Sequence, residues 1–153
     1  MYLFIDTAMR DVSCIALIKN KKIFYKKLSS NPAKKSGDVL FGIDSLLKKN
    51  NTTAQKLHGI IVVVGPGQFS ALRTGIAFAN TFGFTLDIPV VGILKEEGAA
   101  TDDLIHRSVA LLHKKKRFSP VAPLYGKEPN ITTPRTPIPL FTSPHPSLII
   151  KKE

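Results

Sequence analysis

A strand that leads through a glycine-rich corner into a helix constrains this chain most. Residues 59–65 read GIIVVVG, a continuous apolar run typical of parallel strands that are covered on both faces. Gly-Pro-Gly at 65–67 ends the run, and apolar residues at helical spacing predict a helix over about 70–85. The corner admits two interpretations, a cradle for a phosphate at the helix start or a tight turn that returns the helix to the sheet. It has neither the spacing nor the lysine of a Walker loop, and it lacks the GxGxxG pattern.

The other segments complete an α/β pattern. The first three predicted strands are joined by turns short enough for an antiparallel meander, whereas the later strands alternate with helices and are therefore predicted to be parallel. The predicted elements are strands at 2–6, 12–19 and within 19–28, a helix at 38–49, a strand at 59–65, a helix at 70–85, a strand at 89–94 and a shorter helix at 96–108. This order predicts a mixed five-stranded sheet with flanking helices, and it resembles one lobe of the actin-like and ribonuclease-H-like architecture.

Charge and hydropathy limit the class of protein. The 153 residues carry a net charge of +11, with 13 Lys and Arg against 7 Asp and Glu in residues 1–100 and 9 against 4 in residues 101–153. Such a balance is typical of nucleic-acid binding, or else reflects lysines that only solvate the surface. The start, MYLFID, has no basic region of a signal peptide, and the longest aliphatic run is too short to cross a bilayer. We therefore expect a cytoplasmic protein without a membrane contact.

The last quarter of the chain has a different composition. Eight of the eleven prolines lie from Pro120 onward. Proline fixes φ and removes a backbone donor, so this region is predicted to be extended and irregular. We divide the chain into a lobe at 1–117 and a Pro-rich extension at 118–153 that is partly flexible, in which VAPLY at 121–125 is apolar enough to dock as an edge strand.

Few residues suggest chemistry. Asp6-Thr7 follows the first strand, where a carboxylate either faces a nucleotide-bound metal or caps its own turn. The single cysteine, Cys14, lies in an apolar stretch and is predicted to be a buried small side chain. The four histidines lack the spacing of a helical metal site, so neither a metal nor a cofactor is predicted. The acidic residues that a two-metal nuclease on this fold would use are either such a cluster or solvated surface groups; they are Asp6, Asp11, Asp102 and Asp103.

The second helix carries more information than the corner before it. Its apolar residues cover an arc of roughly 160°, more than a helix needs to pack on a sheet. A small residue recurs every fourth position, at Ala71, Gly75, Ala79 and Gly83, and such a ridge favours the close approach of another helix. That neighbour is either the first helix of this chain or a helix of another protein.

Three stretches resemble the bacterial TsaB (YeaZ) family. They are FIDTAMRDVSCIAL, GPGQFSALRTGIAFANTFGFTLDIPVVGI and PLYGKEPNIT, and the similarity covers residues 1 to about 95 and a short piece at 123–134. The resemblance implies an actin-like fold and a role in making threonylcarbamoyladenosine in tRNA. It implies a non-catalytic partner of the transferase TsaD, joined by the ATPase TsaE in a larger complex, with a homodimer when alone. Direct tRNA contact by the basic surface is a further expectation.

The resemblance also implies where the partner binds. Family members make this contact with their first two helices, so the candidate interface residues are Val39, Leu40, Ile43, Leu47, Ala71, Gly75, Ile76, Ala79 and Phe82. Candidate anion or nucleotide contacts are Asp6, Thr7, Gly65 and Gly67. The sequence departs from the family loop at Gln68, Ser70 and Ala71, retains Arg73, and lacks most of the second lobe.

Two functions follow as hypotheses. The first is a scaffold that activates a TsaD-like transferase and transfers no group itself, for which Gly75→Leu is expected to abolish the heteromer. The alternative is a ribonuclease-H-like, metal-dependent nuclease or resolvase that needs Asp6 as a metal ligand.

Overall fold

A five-stranded mixed sheet forms the centre of the protein. In the computed structural model, which describes residues 1–9, 12–29 and 35–125, the strand order is β3-β2-β1-β4-β5. The strands β1, β2 and β3 pair antiparallel, whereas β4 pairs parallel with β1 and with β5. The predicted α/β class and the mixed sheet are confirmed. The elements are β1 (Tyr2–Asp6), β2 (Val12–Lys19), β3 (Lys22–Ser29), α1 (Lys35–Lys49), a 3-10 turn (Ala54–Lys56), β4 (Ile60–Gly65), α2 (Phe69–Leu86), β5 (Val90–Leu94) and α3 (Thr101–Lys114).

Helices cover both faces of the sheet. Side chains alternate along β1, so Tyr2 and Thr7 point to opposite faces. Tyr2 contacts His113 of α3, and Thr7 contacts α2, which places these two helices on opposite sides. Because β4 is covered on both faces, all six of its residues are buried, as its continuous apolar run predicts.

The third helix begins later than predicted. The sequence favoured 96–108, but the helix spans Thr101–Lys114. Gly98 adopts φ 76°, a left-handed conformation that interrupts a helix, so residues 96–99 form a turn closed by a hydrogen bond from Ala99 N to Glu96 O. Asp102 and Asp103 lie in the first turn of the observed helix and His113 and Lys114 in the last, which suits the helix dipole.

Three of the four small residues in the α2 ridge, Gly75, Ala79 and Gly83, are buried inside this chain. A Cβ on Gly75 would collide with the Thr7 side chain, and one on Gly83 would collide with Val90 and Phe118. Ala79 between them is fully buried. Gly75, Ala79 and Gly83 therefore let α2 approach the strands and neighbouring loops of this chain, whereas Ala71, the fourth residue of the ridge, is half-buried.

The chain beyond α3 packs back onto the lobe as far as Tyr125. Leu124 N donates to Val64 O at 2.8 Å, and the Asn80 side chain bonds both backbone groups of Val121. Residues 121–125 dock as the sequence favoured, but as an extended segment that is not a strand of the sheet. The rest of the predicted extension, 126–153, lies outside the described residues. No helix in the described part of the chain is long and apolar enough to cross a membrane.

Candidate functional site

Three loops meet at the edge of the sheet where the parallel strands end, here called the carboxyl edge. They follow β1, β4 and β5, since the carboxyl ends of parallel strands lie side by side. Gln68 N donates to Ala8 O at 3.0 Å, and Lys95 N donates to Gly65 O at 2.7 Å. A Cβ on Gly67 would collide with Ala8, so this glycine is required where the two loops touch.

Asp6 forms an ion pair that the sequence analysis missed. Its Oδ2 lies 2.8 Å from Lys95 Nζ, and its Oδ1 accepts a 2.9 Å hydrogen bond from Ala8 N. The Asp6 side chain is 11% exposed and the Lys95 side chain 34%. Both carboxylate oxygens are thus occupied, one in the predicted turn and one by a cation. A signal for Lys95 existed, because it is the first residue after β5 and therefore lies at the same edge as Asp6.

The other three candidate anion contacts take part in packing between the loops. Thr7 is buried, and its Oγ1 donates to Ala71 O at 2.7 Å. Gly65 lies against the backbone of Leu124, and Gly67 against Ala8. These residues come together at the carboxyl edge, where they fasten the loops to one another and to α2.

Of the four acidic residues in the nuclease alternative, the three that the structure describes form no metal cluster. Asp102, in the first turn of α3, accepts a hydrogen bond from the Tyr25 hydroxyl. Burial and this bond to Asp102 raise the pKa of Tyr25 well above its ordinary value. Asp6 is held by Lys95, and Asp11 lies outside the described residues. Among residues 1–9, 12–29 and 35–125, no three His, Cys, Asp or Glu side chains are grouped to hold a metal ion.

Cys14 lies opposite Asp6 in the β1–β2 register, and both members of the Asp6–Lys95 ion pair affect the pKa of its thiol. It is half-buried, where the sequence predicted full burial. Burial raises the pKa of its thiol and the Asp6 charge raises it further, whereas Lys27 and Lys95 lower it. A thiol with a raised pKa is a poor nucleophile at neutral pH.

Most of the candidate interface residues are buried inside this chain. Six of the nine are core residues, namely Val39, Ile43, Leu47, Gly75, Ile76 and Ala79. Leu40 is exposed, and Ala71 and Phe82 are half-buried. The helical pattern indicated an apolar face correctly, but the sheet of the same chain covers that face.

An exposed apolar surface nevertheless remains beside α1 and α2. Phe41 is 76% exposed, and Phe78 is half-buried on the flank of α2 that also carries Ala71 and Phe82. The other flank carries Asn80 and Phe84, which contact Val121 and Phe118. We define the α1–α2 surface as the exposed or half-buried apolar residues Leu40, Phe41, Ala71, Phe78 and Phe82 of the two helices, of which Phe41 lies on the side of α1 toward β3, beside Lys26 and Lys27.

The candidate interface residues chosen from the sequence did not include Phe41 or Phe78. Phe41 falls outside the apolar stripe that buries Val39 and Ile43, so an exposed aromatic residue on the outer face of α1 was the available signal.

Comparison with known proteins agrees with this architecture. The family model described as "TsaD: tRNA N6-adenosine threonylcarbamoyltransferase" matches residues 37–113. The tRNA threonylcarbamoyladenosine biosynthesis protein TsaB of Bacillus subtilis (strain 168) is 28% identical over 100 residues, which is 65% of this chain and 43% of that protein. The tRNA N6-adenosine threonylcarbamoyltransferase of Listeria monocytogenes serotype 4b (strain CLIP80459) is 41% identical over 51 residues, 33% of this chain and 15% of that protein.

A solved structure shares the fold. YeaZ from Pseudomonas aeruginosa superposes with a TM-score of 0.57 at 20% identity, over 61% of this chain and 43% of that chain. The predicted actin-like, ribonuclease-H-like lobe is thereby confirmed. The chain spans less than half the length of the curated relatives named here. Because the family model matches residues 37–113, half of the chain, the chain belongs to the TsaD family that this model describes.

Proposed function

We propose that this protein acts in tRNA threonylcarbamoyladenosine biosynthesis as a non-catalytic partner that binds a TsaD-like transferase. The relatives named above carry this biosynthetic role or this transferase activity in their names. The observation that carries the non-catalytic part is the ion pair between Asp6 and Lys95. At the place where an actin-like fold would direct a carboxylate at a nucleotide-bound metal, the carboxylate here is neutralised and largely buried.

The transferase binds at the α1–α2 surface in this proposal. An exposed Phe41 beside Leu40 and a half-buried aromatic flank on α2 offer the apolar contact that a partner helix needs. This narrows the interface expected from the sequence, since six of those nine residues are enclosed by the sheet. In the absence of the transferase, the same surface pairs two copies of the chain. A TsaE-like ATPase joins the larger complex, and the pathway places the protein in the cytoplasm.

A matched pair of substitutions tests this interface. Phe41→Asp introduces a charge into the α1–α2 surface, and Phe84→Asp does the same on the opposite flank of α2 at nearly equal exposure, 76% against 74%. Mixed with the purified TsaD-like transferase of the source organism, wild type and Phe84→Asp are expected to co-elute with it on a sizing column, and Phe41→Asp is expected to elute alone. Equal elution of the two variants would place the interface elsewhere, and failure of wild type to bind would remove the proposed function.

A different substitution distinguishes the nuclease hypothesis from the proposed scaffold function. A nuclease that uses Asp6 as a metal ligand loses its activity in Asp6→Asn, whereas a scaffold keeps its effect on the transferase. We expect Asp6→Asn to support threonylcarbamoyladenosine formation by the transferase, measured as modified nucleoside in digested tRNA. Cleavage of RNA or DNA by wild type with Mg²⁺ or Mn²⁺, abolished in Asp6→Asn, would contradict the proposal.

A further inference from the structure

The opposite edge of the sheet, where β1, β4 and β5 begin, gathers basic residues from three separate segments. These are the β2–β3 turn at 19–22, the stretch from the end of α1 to the start of β4 at 48–58, and the end of α3 with the residues after it at 113–117. Together the three segments contain ten Lys and Arg and no Asp or Glu. We call these three segments the basic edge.

Topology brings the segments together. The turn between β2 and β3 lies next to the start of β1, since Tyr2 pairs with Ile18. The helices α1 and α3 both run antiparallel to β4 and β5, so the last turns of these helices reach the edge where the two strands begin. Direct contacts confirm the neighbourhood, because Tyr2 lies against His113 and the N-terminal amine of Met1 lies 3.0 Å from His58 Nδ1.

Little in the described part of the chain neutralises this charge. Lys48 pairs with Asp44, and both side chains are more than half exposed. Lys19 and Lys115 reach only backbone carbonyls, those of Asn50 and Val90. Three helix ends supply about −0.5 charge each, and Asp87, between α2 and β5 at this edge, supplies one full negative charge; the sum of ~−2.5 falls far short of ten cations. The basic edge therefore keeps a strong positive potential.

One lysine occupies a position that glycine would fill more easily. Asn20 and Lys21 form the two central residues of the β2–β3 turn, at φ 50° and 63°. Tight hairpins of this kind favour Asn-Gly because the second residue must adopt the left-handed conformation. Lys21 is exposed and holds its charge at the tip of this turn in spite of that preference.

We propose that the basic edge binds the phosphate backbone of RNA, and specifically of the tRNA on which the partner transferase acts. The choice of RNA as the ligand rests on the proposed function, whereas the inference that the ligand is an anion rests only on the positive charge of the basic edge. Strands spaced about 4.8 Å apart make this edge about 20 Å wide, enough for several phosphates. An anionic membrane is the less suitable partner, since none of the exposed large hydrophobic residues of the described chain lies in the three segments.

Charge-matched double substitutions in the full chain test this surface. Lys21→Ala with Lys22→Ala, and Lys49→Ala with Lys56→Ala, each remove two charges from the basic edge. The control, Lys26→Ala with Lys27→Ala, removes two charges from β3 away from that edge. Binding of a fluorescent tRNA transcript is measured by anisotropy over a range of salt concentrations.

Each basic-edge variant is expected to lose about ten-fold in affinity at low salt, and its plot of log K against log salt should be shallower by about 1 to 2. The control should change affinity by less than about two-fold. An equal loss of affinity in the control would mean that only the net charge of the protein matters, and it would overturn the proposal. Binding of wild type to phosphatidylserine vesicles but not to tRNA would overturn it as well.

The same variants separate this inference from the proposed function. The lysine variants should still co-elute with the TsaD-like transferase, because none of the substituted residues belongs to the α1–α2 surface. If wild type fails to bind the transferase but binds tRNA through the basic edge, the proposed function fails and the RNA surface stands. If it binds the transferase and the lysine variants bind tRNA as wild type does, the RNA surface fails alone.

Discussion

The two edges of the sheet use their charged residues in opposite ways. At the carboxyl edge, Asp6 pairs with Lys95 and Glu96 with Arg107, and glycines bring the loops into direct contact. At the basic edge, positively charged lysines lie on exposed turns and helix ends. A sheet topology that gathers loops at both ends thus produces a closed junction with paired charges at one end and an open, mainly basic surface at the other. The residue types, and not the topology, make the difference.

The largest expected effect breaks the packing of the carboxyl edge. Gly75→Leu places a side chain where Thr7 already lies, and Thr7 is buried and bonded to Ala71. We expect a loss of about 3 kcal/mol in the free energy of unfolding from overpacking, measured by urea denaturation. The control Ala77→Leu, on the exposed face of α2, should change it by less than about 0.5 kcal/mol. Wild-type stability in Gly75→Leu would show that α2 does not lie on the loop after β1.

A double-mutant cycle compares the two ion pairs of the carboxyl edge. Asp6→Asn and Lys95→Met should show a coupling energy of about 1 to 3 kcal/mol, because the Asp6 side chain is largely buried. The exposed pair of Glu96 and Arg107, with side chains 55% and 59% exposed, should show less than about 0.5 kcal/mol. Denaturation of the single and double variants measures both. Equal coupling in the two cycles would mean that Asp6 is open to solvent.

Two glycine substitutions in and beside the β2–β3 turn test the backbone conformation of the basic edge. Lys21→Gly relieves a left-handed conformation and should raise the free energy of unfolding by about 0.5 kcal/mol after the greater entropy of the unfolded glycine chain is counted. Lys22→Gly, one residue later in β3, should lower it by about 0.5 to 1 kcal/mol. The two variants lose the same charge, so both should weaken tRNA binding alike. A stability change of the same sign in both would contradict the observed turn.

The smallest effect concerns the reactivity of Cys14. The thiolate reacts with iodoacetamide, and Asp6 raises the thiol pKa while Lys95 lowers it. Asp6→Asn should therefore speed alkylation at pH 7.5 by about two-fold, and Lys95→Met should slow it by a similar factor. Mass spectrometry of timed samples gives the rates, and denatured protein, in which all variants should react equally, is the control. Rates that change in the same direction would exclude a charge effect.

Local patterns predicted the elements well where one interaction dominates. Short apolar runs predicted the bounds of β1 and β2, and the continuous apolar run of β4 indicated burial on both faces. The start of α3 was harder, because Glu96 and Glu97 resemble a first helical turn until Gly98 adopts a positive φ. At the carboxyl edge, the sequence singled out Asp6 and the glycines as candidate contacts, but it did not single out Lys95, the cation that pairs with Asp6.

By itself, the sequence determined the α/β order, the mixed sheet, the apolar face of α2 and the excess of basic charge, because periodicity and composition are local properties of the chain. Only the tertiary structure decided what those features contact. It turned the ridge of Gly75 toward Thr7, joined Asp6 to a lysine 89 residues away, and gathered lysines of three segments at one edge. Contacts between distant segments depend on how strands pair and helices cross, and no window along the chain contains that information.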